Sequence, residues 1–456
     1  MTAYDSLRLL PSVEELLTSG KFARRIDELS RPLVTAVIRQ VLAEIRTRVR
    51  QGERLPTTKQ IETEITVQLH RISKQRIMPV INGTGILIHT NLGRAPLGKK
   101  LFNRVAERVT GYTTLEFDLA RGKRGKRGTF LSYLLTLLTD AEAALVVNNN
   151  AAAVFLILNT FANRKQVVIS RSELVQIGGD FRIPDIIHKA GAKLVEIGTT
   201  NKTDMHDYQQ AVGKSTALLL KVHRSNFSLE GFVEDVATAD VAGIAAKHGV
   251  ISVFDLGSGT YHQTEKFGME AEPNITAALR SGVDIVCFSG DKLLGSVQAG
   301  IILGKRELID KMNRNPIYRV LRPDKLTIAM AEETLLAYLK KTDRELLPLW
   351  GMISLPITRL RKRGMAIKKA LADTHLQIKV VKSAATPGGG SLPGGSMPSV
   401  ALEIIPPERV SAFTRRLLDA DPPLIGYVED DKLYLDLRTI PETQDDTVVG
   451  ILRKTN

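Results

Sequence analysis

Short apolar runs alternate with segments of helical period through the middle of the chain. Residues 144–147, 166–170, 193–197, 217–222, 250–255, 284–288 and 300–303 read as strands. Several are almost continuously hydrophobic, as strands covered on both faces must be. Between them, residues 151–161, 181–189 and 241–247 carry helical spacing. This alternation predicts an α/β fold, a mostly parallel sheet with helices on both sides. Ligands of such sheets sit beyond the carboxyl ends of the strands, so polar residues there are the first candidates for chemistry.

Both ends of the chain follow a different pattern. Near the start, Leu33, Val34, Val37, Ile38, Val41, Leu42 and Ile45 recur at helical spacing, with Arg39, Arg46, Arg48 and Arg50 largely outside that stripe. Residues 52–56 interrupt the pattern and 59–70 resume it, which predicts a small helical domain over 1–76. A large α/β domain is expected over 77–339 and a small α/β domain over 340–456. In the last, helical segments 357–372 and 407–418 alternate with strands 376–381, 399–405, 424–429 and 432–437. Asp430-Asp431 separates the final two strands and suggests a hairpin. The stretch ATPGGGSLPGGSMPS (385–399) is either a plain loop or a place where glycine lets backbone approach a ligand closely.

Composition narrows the class. The chain has 456 residues, 43% hydrophobic and 25% charged, which excludes disordered and fibrous proteins. Cys287 is the only cysteine, so neither an intrachain disulfide nor a cysteine-ligated metal is possible, and no metal is expected. No apolar run approaches the ~20 residues that span a bilayer. Asp5, Arg8 and Pro11 lie where a signal peptide needs its apolar core. A soluble, cytoplasmic protein without membrane contact is expected. The net charge is +14; residues 1–76 carry +5 of it, more than twice the density of the remaining 380. That basic helical segment suits either a solvated face packed on the body or another subunit, or a nucleic-acid surface.

The chemistry concentrates at predicted strand ends. In FSGDKLLG (288–295), Ser289-Gly290 ends a strand and Asp291-Lys292 follows. An unpaired buried ammonium is costly, so Lys292 either reaches solvent, pairs with Asp291, or is a lysine of depressed pKa that forms a Schiff base. VFDLGSG (253–259) puts Asp255 at the end of another strand. Pyridoxal 5'-phosphate needs such a carboxylate to keep its pyridine nitrogen protonated. Strand ALVVN runs into Asn148, Asn149 and Asn150 and then the helical AAAVFLIL. A helix N-terminus of small residues binds phosphate readily, although asparagines there also serve as N-caps. The run RGKRGKRG (121–128) is a solvated loop or an anion site.

Five longer motifs, INGTGILIHTNLGRAPL (81–97), SRSELVQIGGDFRIPDI (170–186), KVHRSNF (221–227), VFDLGSG and FSGDKLLGSVQAG, closely resemble the bacterial selenocysteine synthase family, the L-seryl-tRNA(Sec) selenium transferases. The resemblance extends over nearly the whole chain and implies a fold-type-I pyridoxal-phosphate transferase with a small helical N-terminal domain and an α/β C-terminal domain. It implies a homodecamer, a pentamer of dimers with active sites at dimer interfaces, and tRNA recognition by the basic N-terminal domain. It casts Lys292 as the Schiff-base lysine and Asp255 as the pyridinium partner. Ser289 and the backbone of Asn148, Asn149, Asn150 and Ala151 would hold the cofactor phosphate, and Asn226 would touch its phenolic oxygen. Arg94, Arg319 and Arg322 would bind the selenium donor, selenophosphate, as forked guanidinium groups suit such an anion. Asp291 would either assist departure of the seryl hydroxyl or orient Lys292. The expected reaction removes that hydroxyl from seryl-tRNA(Sec) and adds selenium. A lyase using the same core on a free amino-sugar acid or amino acid is the alternative; those relatives lack the basic N-terminal domain. A non-enzymatic RNA-binding scaffold would have no use for Lys292, Asp255 and the arginines.

Overall fold

The computed structural model describes residues 7–178, 181–392 and 394–455. Asp5, the Gly179-Asp180 pair of the 170–186 motif and Pro393 of the glycine-rich stretch therefore lie outside the described residues. The chain divides into two compact units, residues 1–80 and 81–456.

In the first unit, Ser12 and Glu15 form a reciprocal cap at the start of α1 (Val13–Thr18). Helix α2 (Ala23–Leu29) leads into α3 (Arg31–Arg50), which has proline in its first turn, where no intrahelical N–H is missed. Thr57 and Gln60 repeat the reciprocal cap at α4 (Thr58–Ser73). The predicted apolar stripe of α3 is buried against Ile61, Ile65 and Leu69 of α4 and against Leu16, Leu17 and Phe22. Arg39, Arg46 and Arg50 stay exposed, whereas Arg48 donates to Glu64 at 2.6 Å.

The second unit is organised by a seven-stranded sheet: β1 (Ala143–Val147), β2 (Gln166–Ser170), β3 (Lys193–Ile197), β4 (Thr216–Val222), β5 (Ile251–Gly257), β6 (Ile285–Ser289) and β7 (Gly300–Gly304). Their spatial order is β1-β7-β6-β5-β4-β2-β3. Every pairing is parallel except those of β7, which runs antiparallel to both β6 and β1. Alternate residues enter different cores: Val146 and Phe288 pack on one face, Val147 and Cys287 on the other. That two-sided burial is why these strands read as unbroken apolar runs. The helix predicted to start at 181 begins at Ile183 instead, because Phe181–Arg182 pairs as a short antiparallel strand with Gln176–Ile177.

A second, antiparallel sheet contains β8 (Gln377–Ala385), β9 (Met397–Ile405), β10 (Tyr427–Glu429) and β11 (Lys432–Asp436) in the order β8-β9-β11-β10. The predicted strand 424–429 is divided: Leu424–Ile425 pairs in parallel with Ile81–Asn82, and only β10 joins the hairpin. Asp430 and Asp431 both have positive φ (47° and 55°), the geometry of a two-residue hairpin turn. Residues 81–97 form a strap from this sheet to the large one. Gly83 donates to Ile425 O, Leu87 to Thr386 O, Ile88 to Pro387 O, and Ala95 to Asp291 O. No described helix is long and apolar enough to cross a membrane.

Gly300 of β7 faces the turn after β1 so closely that a Cβ would overlap the carbonyl of Asn149. Gly300→Ala is therefore expected to lower stability by about 1–3 kcal/mol, as overpacking does. Chemical denaturation measures it, and an unchanged midpoint would contradict this close approach.

Candidate active site

Three strand ends meet at the carboxyl edge of the large sheet. Asp255 lies in β5, opposite Cys287 of its parallel neighbour β6. Ser289 ends β6, and the turn beyond it carries Asp291 and Lys292. Strand β1 runs into the asparagines and the helix α5 (Asn150–Phe161). Together they border a cavity of about 200 Å³ whose walls include Arg94, Asn150, Ala151, His223, Asp255, Ser289 and Lys292.

Lys292 is 5% exposed, and its Nζ has no hydrogen-bond partner among the described residues. Burial lowers its pKa; Asp255 opposes the shift, Arg94 adds to it, and Asp291 and Glu272 oppose it. The glycine-rich stretch closes over this amine. Gly390 has φ +86°, and a Cβ there would lie 2.8 Å from Lys292 Nζ. Close backbone approach, one of the two uses the sequence allowed for these glycines, is therefore what they provide.

Asp255 is 6% exposed, and its Oδ1 accepts from Asn150 Nδ2 at 2.8 Å and from Gly257 N at 2.9 Å. Burial raises its pKa, while those two hydrogen bonds and the nearby Lys292 and His223 pull it down. The asparagines divide their labour. Asn149 is an N-cap, accepting from Ala152 N at 2.8 Å. Asn150 reaches Asp255 by its side chain. The N–H groups of Asn150 and Ala151 begin α5 without intrahelical partners, a cradle for an anion beside Ser289. Asn148 donates its N–H to Leu321 O and does not line the cavity.

Arg94 arrives on the strap, at φ +62°, and its Nη1 contacts both oxygens of Asp291 at 3.0 and 3.1 Å. Asp291 thus engages Arg94, not Lys292. His223, at the end of β4, lies 3.3 Å through Nε2 from Glu272 Oε2, and Ser258 donates to the other oxygen of Glu272. Sequence reasoning passed over His223, Glu272 and Ser225. The rule that directed attention to Asp255 would also have found His223, since both sit at strand ends.

Three further predicted residues, besides Asn148, lie elsewhere. The chain turns just past β4, with Ser225 N bonded to His223 O, so Ser225 lines the cavity while Asn226 is exposed and donates to Gln176 O at 2.9 Å. Arg319 is exposed on the short helix Pro316–Val320. Arg322 lies 3.6 Å from Glu116 and over the ring of Tyr318. It borders a second cavity of about 510 Å³ together with Arg124, Lys126 and Arg127. Arg124 and Arg127 of the basic run bond Glu116 at 2.7 and 2.8 Å, so that segment is anchored.

The residues around Lys292 fit pyridoxal 5'-phosphate. A buried amine of lowered pKa suits its aldehyde, a buried carboxylate its ring nitrogen, and unpartnered helix N–H groups its phosphate.

Comparison with known proteins agrees. The family model for L-seryl-tRNA selenium transferase matches residues 80–441, and that for the selenocysteine synthase N terminal matches residues 7–46. An L-seryl-tRNA(Sec) selenium transferase of Aquifex aeolicus is 43% identical over 438 residues, covering 95% of each chain. One from Moorella thermoacetica is also 43% identical, over 451 residues, covering 96% of this chain and 95% of its own. Among solved structures, a D-glucosaminate-6-phosphate ammonia-lyase shares the fold, with a TM-score of 0.60 at 16% identity over 84% of this chain and 97% of that one.

Because burial lowers the Lys292 pKa, its neutral amine is available below the ordinary lysine range. Attachment of pyridoxal 5'-phosphate to the apoprotein, followed by visible absorbance, should slow as pH falls through that lowered pKa. It should reach its plateau below the pH at which an exposed lysine titrates. A rate still rising through the ordinary lysine range would contradict the assignment.

Proposed function

The chain belongs to the family of L-seryl-tRNA selenium transferases, and on that premise we propose how its site converts seryl-tRNA(Sec) to selenocysteinyl-tRNA(Sec) with pyridoxal 5'-phosphate. The observation that carries the proposal is the pairing of a buried, unpartnered Lys292 with a buried, hydrogen-bonded Asp255 at adjacent strand ends. The cofactor, when bound, supplies an electron sink for negative charge at the substrate α-carbon.

The chain's own groups do the rest. Lys292 Nζ would attach the cofactor between turnovers and, once released, accept the α-proton; burial lowers its pKa and so favours the neutral, basic amine. Asp255 holds the proton on the ring nitrogen. The N–H groups of Asn150 and Ala151, with Ser289, hold the phosphate. Asp291, read from the sequence as assisting the hydroxyl's departure or orienting Lys292, contacts Arg94 and would orient that arginine. Arg94 in turn binds the selenophosphate that supplies selenium in place of the seryl hydroxyl. The Gly390 backbone lies close against the amine.

Arg319 and Arg322 bind the same donor from a neighbouring protomer, in a homodecamer built as five dimers. Support comes from the buried Nε of Arg322, which has no partner among the described residues. Residues 1–76 form the tRNA-binding domain, 77–339 the cofactor domain and 340–456 the small C-terminal domain. The match of residues 7–46 to the selenocysteine synthase N-terminal model favours this substrate over a free amino acid or amino-sugar acid. The protein works in the cytoplasm, where aminoacyl-tRNA is made.

Turnover of seryl-tRNA(Sec) with selenophosphate tests the reading. Lys292→Ala and Arg322→Ala should each be inactive, and mixed protomers of the two should regain part of the activity. No recovery in mixtures shown to exchange subunits would argue against a shared site. Arg94→Ala should raise the KM for selenophosphate about 10- to 100-fold, from ~1.5–3 kcal/mol for a hydrogen bond to a charged group. Removing residues 1–76 should abolish tRNA affinity and leave the cofactor absorbance intact; retained affinity would overturn the domain assignment.

A further inference from the structure

The side chain of Asn150 has a second task that its position at a helix start conceals. Residues 151–153, which follow it, are all alanine, and Asn149 already caps the helix. Asn150 is thus not needed to start α5. Its Nδ2 instead donates to Asp255 Oδ1 at 2.8 Å. With Asp255 ionised the amide can point only one way, because the reverse orientation would set two acceptors against each other at that distance. In this orientation Oδ1 is buried and has no hydrogen-bond partner among the described residues. Leaving such a group unsatisfied costs stability, and alanine would avoid the cost. Asn150 thus carries a buried, unpaired acceptor that alanine would lack, at the wall of the cavity that holds Lys292.

We propose that Asn150 is a positioning residue that keeps the Asp255 carboxylate ionised and aimed at the pyridine nitrogen of the cofactor. The proposal rests on the reading of Asp255 given above. The carboxylate is deeply buried, and burial alone favours its neutral form. Its neighbours are few: the Gly257 N–H, Lys292 and His223 favour the charge, and the Cys287 thiol lies against it from β6. Lys292 is the partner that changes when the cofactor is attached, since its nitrogen is then no longer a free amine. Asn150 and Gly257 donate throughout, and of these two only Asn150 can be removed without altering the strand.

The test uses full-length protein loaded with 15N-labelled pyridoxal 5'-phosphate. The ring-nitrogen chemical shift reports whether that nitrogen is protonated. Wild type should show the protonated shift near neutral pH. Asn150→Ala should move it toward the unprotonated value and weaken cofactor binding about tenfold or more, the loss of one hydrogen bond to a charged group. The apoprotein of the same variant should still melt in one cooperative step, showing that the fold is kept. A protonated ring in Asn150→Ala with wild-type cofactor affinity would overturn the proposal, as would a shift explained by an unfolded apoprotein. An unprotonated ring already in wild type would instead remove the role given to Asp255.

Discussion

An amine and a carboxylate, both almost withdrawn from water, stand at the ends of two neighbouring parallel strands, and the rest of the large unit serves to keep them there. Isolated charges of this kind are expensive to bury. Asp255 is accommodated by donors from Asn150 and from its own strand at Gly257. Lys292 is accommodated differently: burial lowers its pKa, so the amine can exist without a proton. The same burial that costs stability thus produces the reactive form, a trade common at sites where pKa values are tuned.

Rigid backbone holds the pair. Just beyond Lys292, the carbonyl of Leu293 accepts from Trp350 Nε1 at 3.1 Å and that of Leu294 from Tyr338 OH at 2.9 Å. Both aromatic side chains are buried, so these bonds are shielded from exchange with water. From the opposite side, residues 81–97 carry backbone hydrogen bonds from the small sheet across to Asp291 and deliver Arg94 to its carboxylate. The same strap bonds Thr386 and Pro387, which leads the glycine-rich stretch to Gly390 and the lysine. Two segments distant in sequence are thereby registered on one reactive atom.

The positive charge, nearly featureless as a total, is distributed by a few carboxylates. Glu116 draws Arg124, Arg127 and, at longer range, Arg322 together, and its pKa falls because those guanidinium groups outweigh its desolvation. On α3 Arg31, Arg39, Arg46 and Arg50 remain exposed. A surface of solvated arginines suits the phosphates of a long nucleic acid, while a guanidinium held beside a cavity suits a small anion.

Much of this was legible in the chain before any coordinates. All seven strands of the large sheet, the α3 stripe and the aspartate hairpin follow from local pattern, because a strand covered on both faces has to be apolar throughout and a helix must repeat its buried positions. Lys292 and Asp255 were legible for a related reason: a charged residue closing an apolar run stands out. Tertiary structure alone decided how the asparagines divide their tasks, that Asp291 engages Arg94, that Ser225 and not Asn226 faces the cavity, and that Arg319 and Arg322 lie apart from Lys292 within one chain. Each of these depends on the direction of a side chain relative to residues far away in sequence. Periodicity records which face of an element is buried and carries no information about which distant atom a polar group on that face will meet.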